Sequence, residues 1–297
     1  MRALAEYIMR GRKEATLVVA IASAVPLLFL LAAAAVALVV LRRGLSESLP
    51  VIGWGMLPAV AWVFMGDITP LLVILGSAAL AVLLRERASW LQVLMAVVPI
   101  SLLYTLVLML VLQEPMAELV AQLETDLPEV LSANGVDESV QLMVIGLLKP
   151  LLAGSFGMFN GLMVLISLMI GRSWQAGLYN PGGFRAEFHQ LRLSPVVAAM
   201  FWLLFLGTLN LGQLAIMAPI ATLPLLIAGL AVLHGVVGLR QMGIQWLVVV
   251  YVLLVIAAQV VYPLIMVLAL IDSLFDFRSR LAPASGPRDD NDPNGQD

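Results

Sequence analysis

Long apolar runs separated by short polar connections occupy most of this chain. Eight such runs can be distinguished, at 16–41, 49–64, 69–84, 90–112, 147–170, 196–209, 214–239 and 244–274. A helix that crosses a bilayer needs roughly 20 predominantly apolar residues, and proline kinks or ends a helix. The pattern predicts an all-α fold, a polytopic transmembrane helical bundle of about eight membrane helices (eight to ten), some of them broken at proline.

The composition supports the same prediction. Hydrophobic residues make up 62% of the chain and charged residues 12%, whereas soluble domains carry about 25% charged residues. We therefore expect one integral-membrane domain over residues 1–280, in contact with the lipid bilayer, and a disordered acidic tail at 281–297. The first apolar run is too long for a signal peptide, so we interpret it as retained membrane structure.

Connections with arginine alternate with connections that have neither Lys nor Arg. Arginines lie at 42–43, 85–87, 172–192 and 240, whereas the connections near 67, 113–140 and 210 have none. Since Lys and Arg favour the cytoplasmic side of a membrane, we predict that segment 172–195 is cytoplasmic and that the acidic segment 113–140 is outside. Within the acidic segment we expect short amphipathic helices, broken at Pro128 and at Asn134–Gly135.

Both ends of the chain leave two topologies open. The first apolar run is either a helical hairpin broken near Pro26, or a single span that leaves the charges at 10–13 outside. The last run has the same ambiguity. A single crossing places Arg278 and Arg280 outside, whereas a break at Pro263 returns them to the cytoplasmic side.

Segment 172–195, called the arginine segment below, is the richest polar motif of the chain. It contains the residues Asn180, Pro181, Gly182, Gly183, Phe184, Arg185 and His189. In a structural interpretation, Phe184, Phe188 and Leu191 form the apolar stripe of a helix on the membrane surface. In a functional interpretation, Arg185, His189 and Arg192 form a docking or anion-contact surface.

No catalytic constellation is recognisable, and we expect no enzyme, metal or cofactor. The two histidines lie on different segments without metal-ligand spacing, and there is no cysteine. The arginines lie in short clusters, so we expect no nucleic-acid partner. Among polar residues within apolar runs, Asn160, His234 and Gln259 are candidates for binding a small-molecule ligand. Asn160 has the alternative of bridging two helices, and His234 that of a structural position near the interface.

A resemblance to a known family rests on Gly177–Arg185 with Glu187–Phe188 and on Leu270–Arg278, together with the opening apolar run and Leu41–Gly44. The chain resembles the YybS-like family of uncharacterised bacterial multi-pass membrane proteins. That family is distantly similar to substrate-binding components of energy-coupling-factor transporters and to MreD. The resemblance implies a compact bundle with broken helices in a bacterial cytoplasmic (inner) membrane. It also marks Asp272, Asp276 and Arg278 as a C-terminal family motif, although these residues can equally well end a helix at the interface.

Two functional hypotheses follow. In the first, the protein is a small-molecule binding or transport component without its own ATPase, because broken helices expose backbone groups to a ligand. In the second, it is a membrane scaffold or cell-envelope assembly protein that docks a cytoplasmic protein partner through the arginine segment.

Overall fold

The computed structural model describes residues 2–278; the tail predicted at 281–297 lies outside this range. The helices are α1 (Arg2–Arg10), α2 (Arg12–Ala24), α3 (Phe29–Arg43), α4 (Leu45–Gly55), α5 (Leu57–Phe64), α6 (Thr69–Arg87), α7 (Trp90–Val111), α8 (Gln113–Ala133), α9 (Glu138–Tyr179), α10 (Gly183–Gln190), α11 (Pro195–Thr208), α12 (Met217–Leu239), α13 (Gln245–Ile256) and α14 (Ala258–Phe275), with a 3-10 helix at Gly212–Ile216. No strand occurs within the described residues. The predicted all-α fold is confirmed.

Five helices are long and apolar enough to cross a membrane: α6, α7, α9, α14, and α12 with the 3-10 helix before it. The pairs α4–α5 and α10–α11 are bent by 46° and 69°, and they bring the number to seven if each is one span. Large apolar side chains such as Phe64 (88% exposed) and Val255 (82% exposed) cover the outer surface. These features describe a multi-pass protein embedded in a membrane. The predicted count of eight to ten membrane helices is larger because it included helices such as α2, α3 and α13. Each of these is shorter than the roughly 20 residues of a full span.

Helix α3 lies at the centre of the bundle. It packs against α2, α4, α6 and α9, and it is buried continuously from Ala32 to Leu41. A helix that is apolar on every side belongs in a core, and its four consecutive alanines let neighbouring helices approach closely.

The first apolar run is a helical hairpin, as one of the two predicted topologies required. The chain reverses between α2 and α3, where Leu27 has φ 65°. The two helices pack side by side, and the Arg43 guanidinium donates to the Met9 carbonyl at 2.8 Å. At 1.5 Å per residue each helix is roughly 20 Å long, less than the ~30 Å hydrocarbon core. The N-terminal charges therefore lie at the same end of the bundle as Arg43.

The last apolar run also turns back, but the predicted break at Pro263 is wrong. The chain breaks at Ala257, which has φ −126° and ψ 43°, and α14 continues through Pro263. Proline removes the hydrogen bond to the carbonyl four residues earlier. Here that carbonyl belongs to Gln259, an exposed residue in the first turn of α14. Helix α14 runs beside α12 and returns Arg278 to the level of Gly235.

The acidic segment differs from the prediction in one respect. Helix α8 continues through Pro128, so the break predicted there is wrong, whereas the break at Asn134–Gly135 is confirmed. Glu124, whose carbonyl loses its partner at Pro128, is exposed, and an exposed carbonyl can be satisfied without a helical hydrogen bond.

Arginines from separate helices collect at one end of the bundle, called the basic end below. The Arg85 guanidinium and the Gln175 amide donate to the Leu41 carbonyl at 2.7 and 3.2 Å. Arg42 lies over the Tyr179 ring, 4.0 Å from its centroid. The acidic helix α8 starts at the other end of α7, so the structure separates the charges as the loop pattern predicts. Which end faces the cytoplasm stays a prediction.

Helices α12 and α14 touch at Gly229, and a substitution there tests this packing. A Cβ atom at Gly229 falls 2.1 Å from the Ile265 carbonyl oxygen, a backbone atom. We expect Gly229→Ala to lower the free energy of unfolding by about 1–3 kcal/mol, the usual cost of overpacking. Gly207→Ala in α11 is the control, since no atom lies within 4 Å of its added Cβ. Thermal unfolding in detergent measures both. Equal stability of the two variants contradicts this packing.

Candidate functional site

Helix α10 brings the arginine segment onto the bundle. It follows a turn at 180–182, where Gly182 has φ 86°, a conformation that favours glycine. A helix is present here as Gly183–Gln190, but it ends before Leu191, the third residue of the predicted stripe. Its Phe188 is buried, and the Phe184 ring lies 5.9 Å from the rings of both Trp90 and Phe188. These apolar side chains therefore pack against the protein, whereas the prediction placed them on the membrane surface.

Arg172 and Glu187 fasten α10 to α9 and α7. The Arg172 guanidinium donates to both carboxylate oxygens of Glu187. The Trp90 indole N–H donates to Glu187 Oε2 at 3.1 Å. These contacts account for Arg172 and Glu187 as structural residues, since each charge already has a partner.

The C-terminal motif forms the second anchor of the basic end. Asp272 is only 1% exposed, and its Oδ2 accepts from the Arg278 guanidinium at 2.8 Å. Arg278 also donates to the His189 carbonyl at 2.6 Å. A buried carboxylate is tolerated when it has a charged hydrogen-bond partner. The pair Asp272–Arg278 therefore connects α14 to the C-terminal turn of α10.

Arg192 completes this connection from the linker between α10 and α11. Its guanidinium donates to the carbonyls of Asp272 and Ser273 at 3.0 and 2.9 Å. It also forms an ion pair with Asp276 at 3.0 Å. The last carbonyls of a helix lack helical partners and carry partial negative charge, so a cation stabilises them. Arg192 and Asp272 are 80 residues apart in the sequence. Their contact joins the arginine segment to the C-terminal motif.

A cleft of about 520 Å³ lies between α10, α12 and the chain that follows α14 at the basic end. It is lined by Arg185, Ala186, His189, Gln190, Arg192, Gly235, Gly238, Leu239, Asp276 and Arg278. The glycines let α10 approach α12 closely. A Cβ atom at Gly238 falls 2.4 Å from the His189 ring, and one at Gly235 falls 2.9 Å from the Arg278 side chain.

The cleft has an excess of positive charge. Within residues 2–278, Arg185 has no carboxylate partner, whereas Arg192 and Arg278 pair with Asp276 and Asp272. Helix α10 is eight residues long and polar, and we place it at the interface, outside the spans. There burial, followed by the charges of Arg185 and Arg278, lowers the pKa of His189. The lowered pKa favours the neutral imidazole of His189, so the unpaired positive charge of the cleft is that of Arg185.

The three predicted ligand-binding residues do not come together. Asn160 is buried in α9 and donates to the Phe156 carbonyl of its own helix at 3.0 Å, so this hydrogen bond does not bridge two helices. His234 lies beside the cleft, bonded to the Tyr251 hydroxyl at 2.9 Å, with its ring 6.4 Å from that of His189. Gln259 is exposed in the first turn of α14. Only His234 is near the cleft.

Four of the ten predicted loop and C-terminal residues line the cleft. These are Arg185, His189, Asp276 and Arg278. Asp272 does not line the cleft, but it accepts a hydrogen bond from Arg278 and so holds that side chain in place. Asn180, Pro181 and Gly182 form an exposed turn, and Gly183 begins α10. Sequence reasoning missed Gly235 and Gly238. Their spacing within an apolar run was the only signal, and glycine is common in membrane helices.

Within residues 2–278, no three His, Asp or Glu side chains are arranged to hold a metal ion. Comparison with protein-family models, curated proteins and solved structures found no match to this chain. The chemistry of the site is therefore argued from its geometry.

Removal of the buried carboxylate tests the second anchor. We expect Asp272→Asn to lower the free energy of unfolding by about 3–5 kcal/mol, because Arg278 is then buried without a charged partner. Asp276→Asn is the matched control. The Asp276 side chain is 42% exposed, and an exposed pair contributes about 0–1 kcal/mol. Chemical denaturation followed by tryptophan fluorescence measures both variants. Similar losses in the two would refute a special role for Asp272.

Proposed function

We propose that this protein is a membrane-embedded small-molecule binding or transport component, without its own ATPase, whose ligand is an anion held in the cleft at the basic end. The observation that carries the proposal is the guanidinium of Arg185, which lines a cleft of about 520 Å³ and has no carboxylate partner within the described residues. The volume falls in the range of small-molecule sites, roughly 300–1,000 Å³.

The chemistry of the lining supports an anion. Three arginines and two aspartates line or support the cleft, which leaves one positive charge when His189 is neutral. A guanidinium binds a carboxylate or phosphate through two parallel hydrogen bonds. The ring of His189 adds an N–H donor, or a second charge when it is protonated. We therefore expect a ligand with a carboxylate or phosphate group.

The scaffold hypothesis is the second candidate. Its best support is the exposed turn at 180–182, together with Tyr179, which is 44% exposed. The structure assigns internal contacts to Arg172, Glu187 and Arg192, so the surface left for a protein partner is small. Few charged side chains of the arginine segment therefore remain to bind a protein partner. We favour the ligand-binding proposal for this reason.

Anion binding can be measured on the purified protein in zwitterionic nanodiscs. We expect inorganic phosphate or succinate to raise the unfolding temperature in a saturable way, relative to chloride at matched ionic strength. Arg185→Gln should weaken the apparent affinity roughly tenfold, about 1.4 kcal/mol, because it removes the available cation.

Arg87→Gln is the matched control, since it removes an exposed arginine from the C-terminal turn of α6 and leaves the cleft intact. The proposal fails if neither anion stabilises the protein, or if both arginine variants weaken binding equally, because the effect is then one of net charge.

A further inference from the structure

A second cavity, almost entirely apolar, lies directly beside the basic cleft. It has a volume of about 400 Å³ and is called the apolar groove below. Its lining includes Val236, Val237, Met242, Leu247, Leu268 and Phe277. These residues belong to α12, α13, α14 and the two connections that follow α12 and α14. The groove is therefore formed where α13 covers the other two helices.

The cleft and the groove share two walls. Phe277 lines the groove and the next residue, Arg278, lines the cleft. On α12, Val236 and Val237 line the groove, whereas Gly235 and Gly238 line the cleft. Two cavities, one basic and one apolar, thus flank the C-terminal turn of α12 and the chain that follows α14.

Helix α13 forms the outer wall of the groove and is only loosely held. None of its residues is buried, and its polar tie to α12 is the hydrogen bond between Tyr251 and His234. Trp246, at its start, is half-exposed beside the groove. Amphipathic rings of this kind favour the boundary between headgroups and hydrocarbon. We therefore expect the outer wall of the groove to lie near the headgroups of the bilayer.

We propose that the anion of the cleft is the head of an amphiphile, a single-chain lipid with a phosphate or carboxylate head, whose hydrocarbon chain lies in the apolar groove. This inference rests on the proposed function and adds the chemical class of the ligand. The occupant follows from the unpaired positive charge of the cleft and from the apolar lining of the groove next to it. A free anion leaves the groove unused, and an uncharged lipid leaves Arg185 without a partner.

Photo-crosslinking tests the proposal. The probe is dodecyl phosphate carrying a diazirine in mid-chain, added to the full-length protein in nanodiscs of phosphatidylcholine. We expect labelling concentrated on Val236, Leu247 and Leu268, and at least fivefold suppression by excess unlabelled dodecyl phosphate. Dodecanol, which has the chain without the charge, should not compete.

Three variants separate the contributions of head, chain and surface. Arg185→Gln should reduce groove labelling at least fivefold, because the head loses its partner. Leu247→Trp should reduce it similarly by filling the groove. Val248→Trp is the matched control, since Val248 is an exposed neighbour on α13, and it should leave labelling unchanged.

The possible results also separate this inference from the proposed function. Labelling spread over exposed helix faces, with equal competition by dodecanol, means ordinary lipid contact and overturns the inference. If inorganic phosphate still stabilises the protein in an Arg185-dependent manner, the proposed function survives that result. If neither phosphate nor dodecyl phosphate depends on Arg185, both proposals are refuted.

Discussion

The buried carboxylate of Asp272 is the interaction on which the basic end depends. It lies at the end of an apolar helix, where a single charge is costly to bury, and the Arg278 guanidinium neutralises it at 2.8 Å. Arg278 then reaches the His189 carbonyl, and Arg192 reaches the last carbonyls of α14. One desolvated charge therefore specifies how the C-terminal helix, the α10 turn and the linker to α11 fit together.

This arrangement divides the arginines by role. Arg172, Arg192 and Arg278 are held by carboxylates and carbonyls. Arg185 is an exposed residue that lines the cleft and has no carboxylate partner in residues 2–278. The contacts of Arg192 and Arg278 hold the walls of the cleft in place before a ligand binds. Less conformational entropy is therefore lost on binding. The ion pairs of Arg192 and Arg278 and the unpaired guanidinium of Arg185 thus belong to the same cleft. In our proposal, the apolar groove beside it accommodates the hydrocarbon chain of the anionic ligand.

Hydropathy and charge alone predict much of the fold. The apolar runs became helices, the hairpin near Pro26 was one of two stated topologies, and the loop arginines met at one end. Proline was a poorer guide, because α8 and α14 pass through Pro128 and Pro263. The residues that lose a carbonyl hydrogen bond there, Glu124 and Gln259, are exposed. The contact of Arg192 with Asp272 could not be predicted from spacing, since it depends on how α14 folds back. The resemblance to the YybS-like family stays a prediction.

The most direct measurement is an experimental structure in phosphatidylcholine nanodiscs with dodecyl phosphate bound. The predicted result is density for an anionic head between Arg185 and His189, with its chain in the apolar groove and the Asp272–Arg278 pair intact. A cleft without head density, in which Arg185 instead pairs with a carboxylate of the protein, would contradict the central claim that the basic end is an anion site.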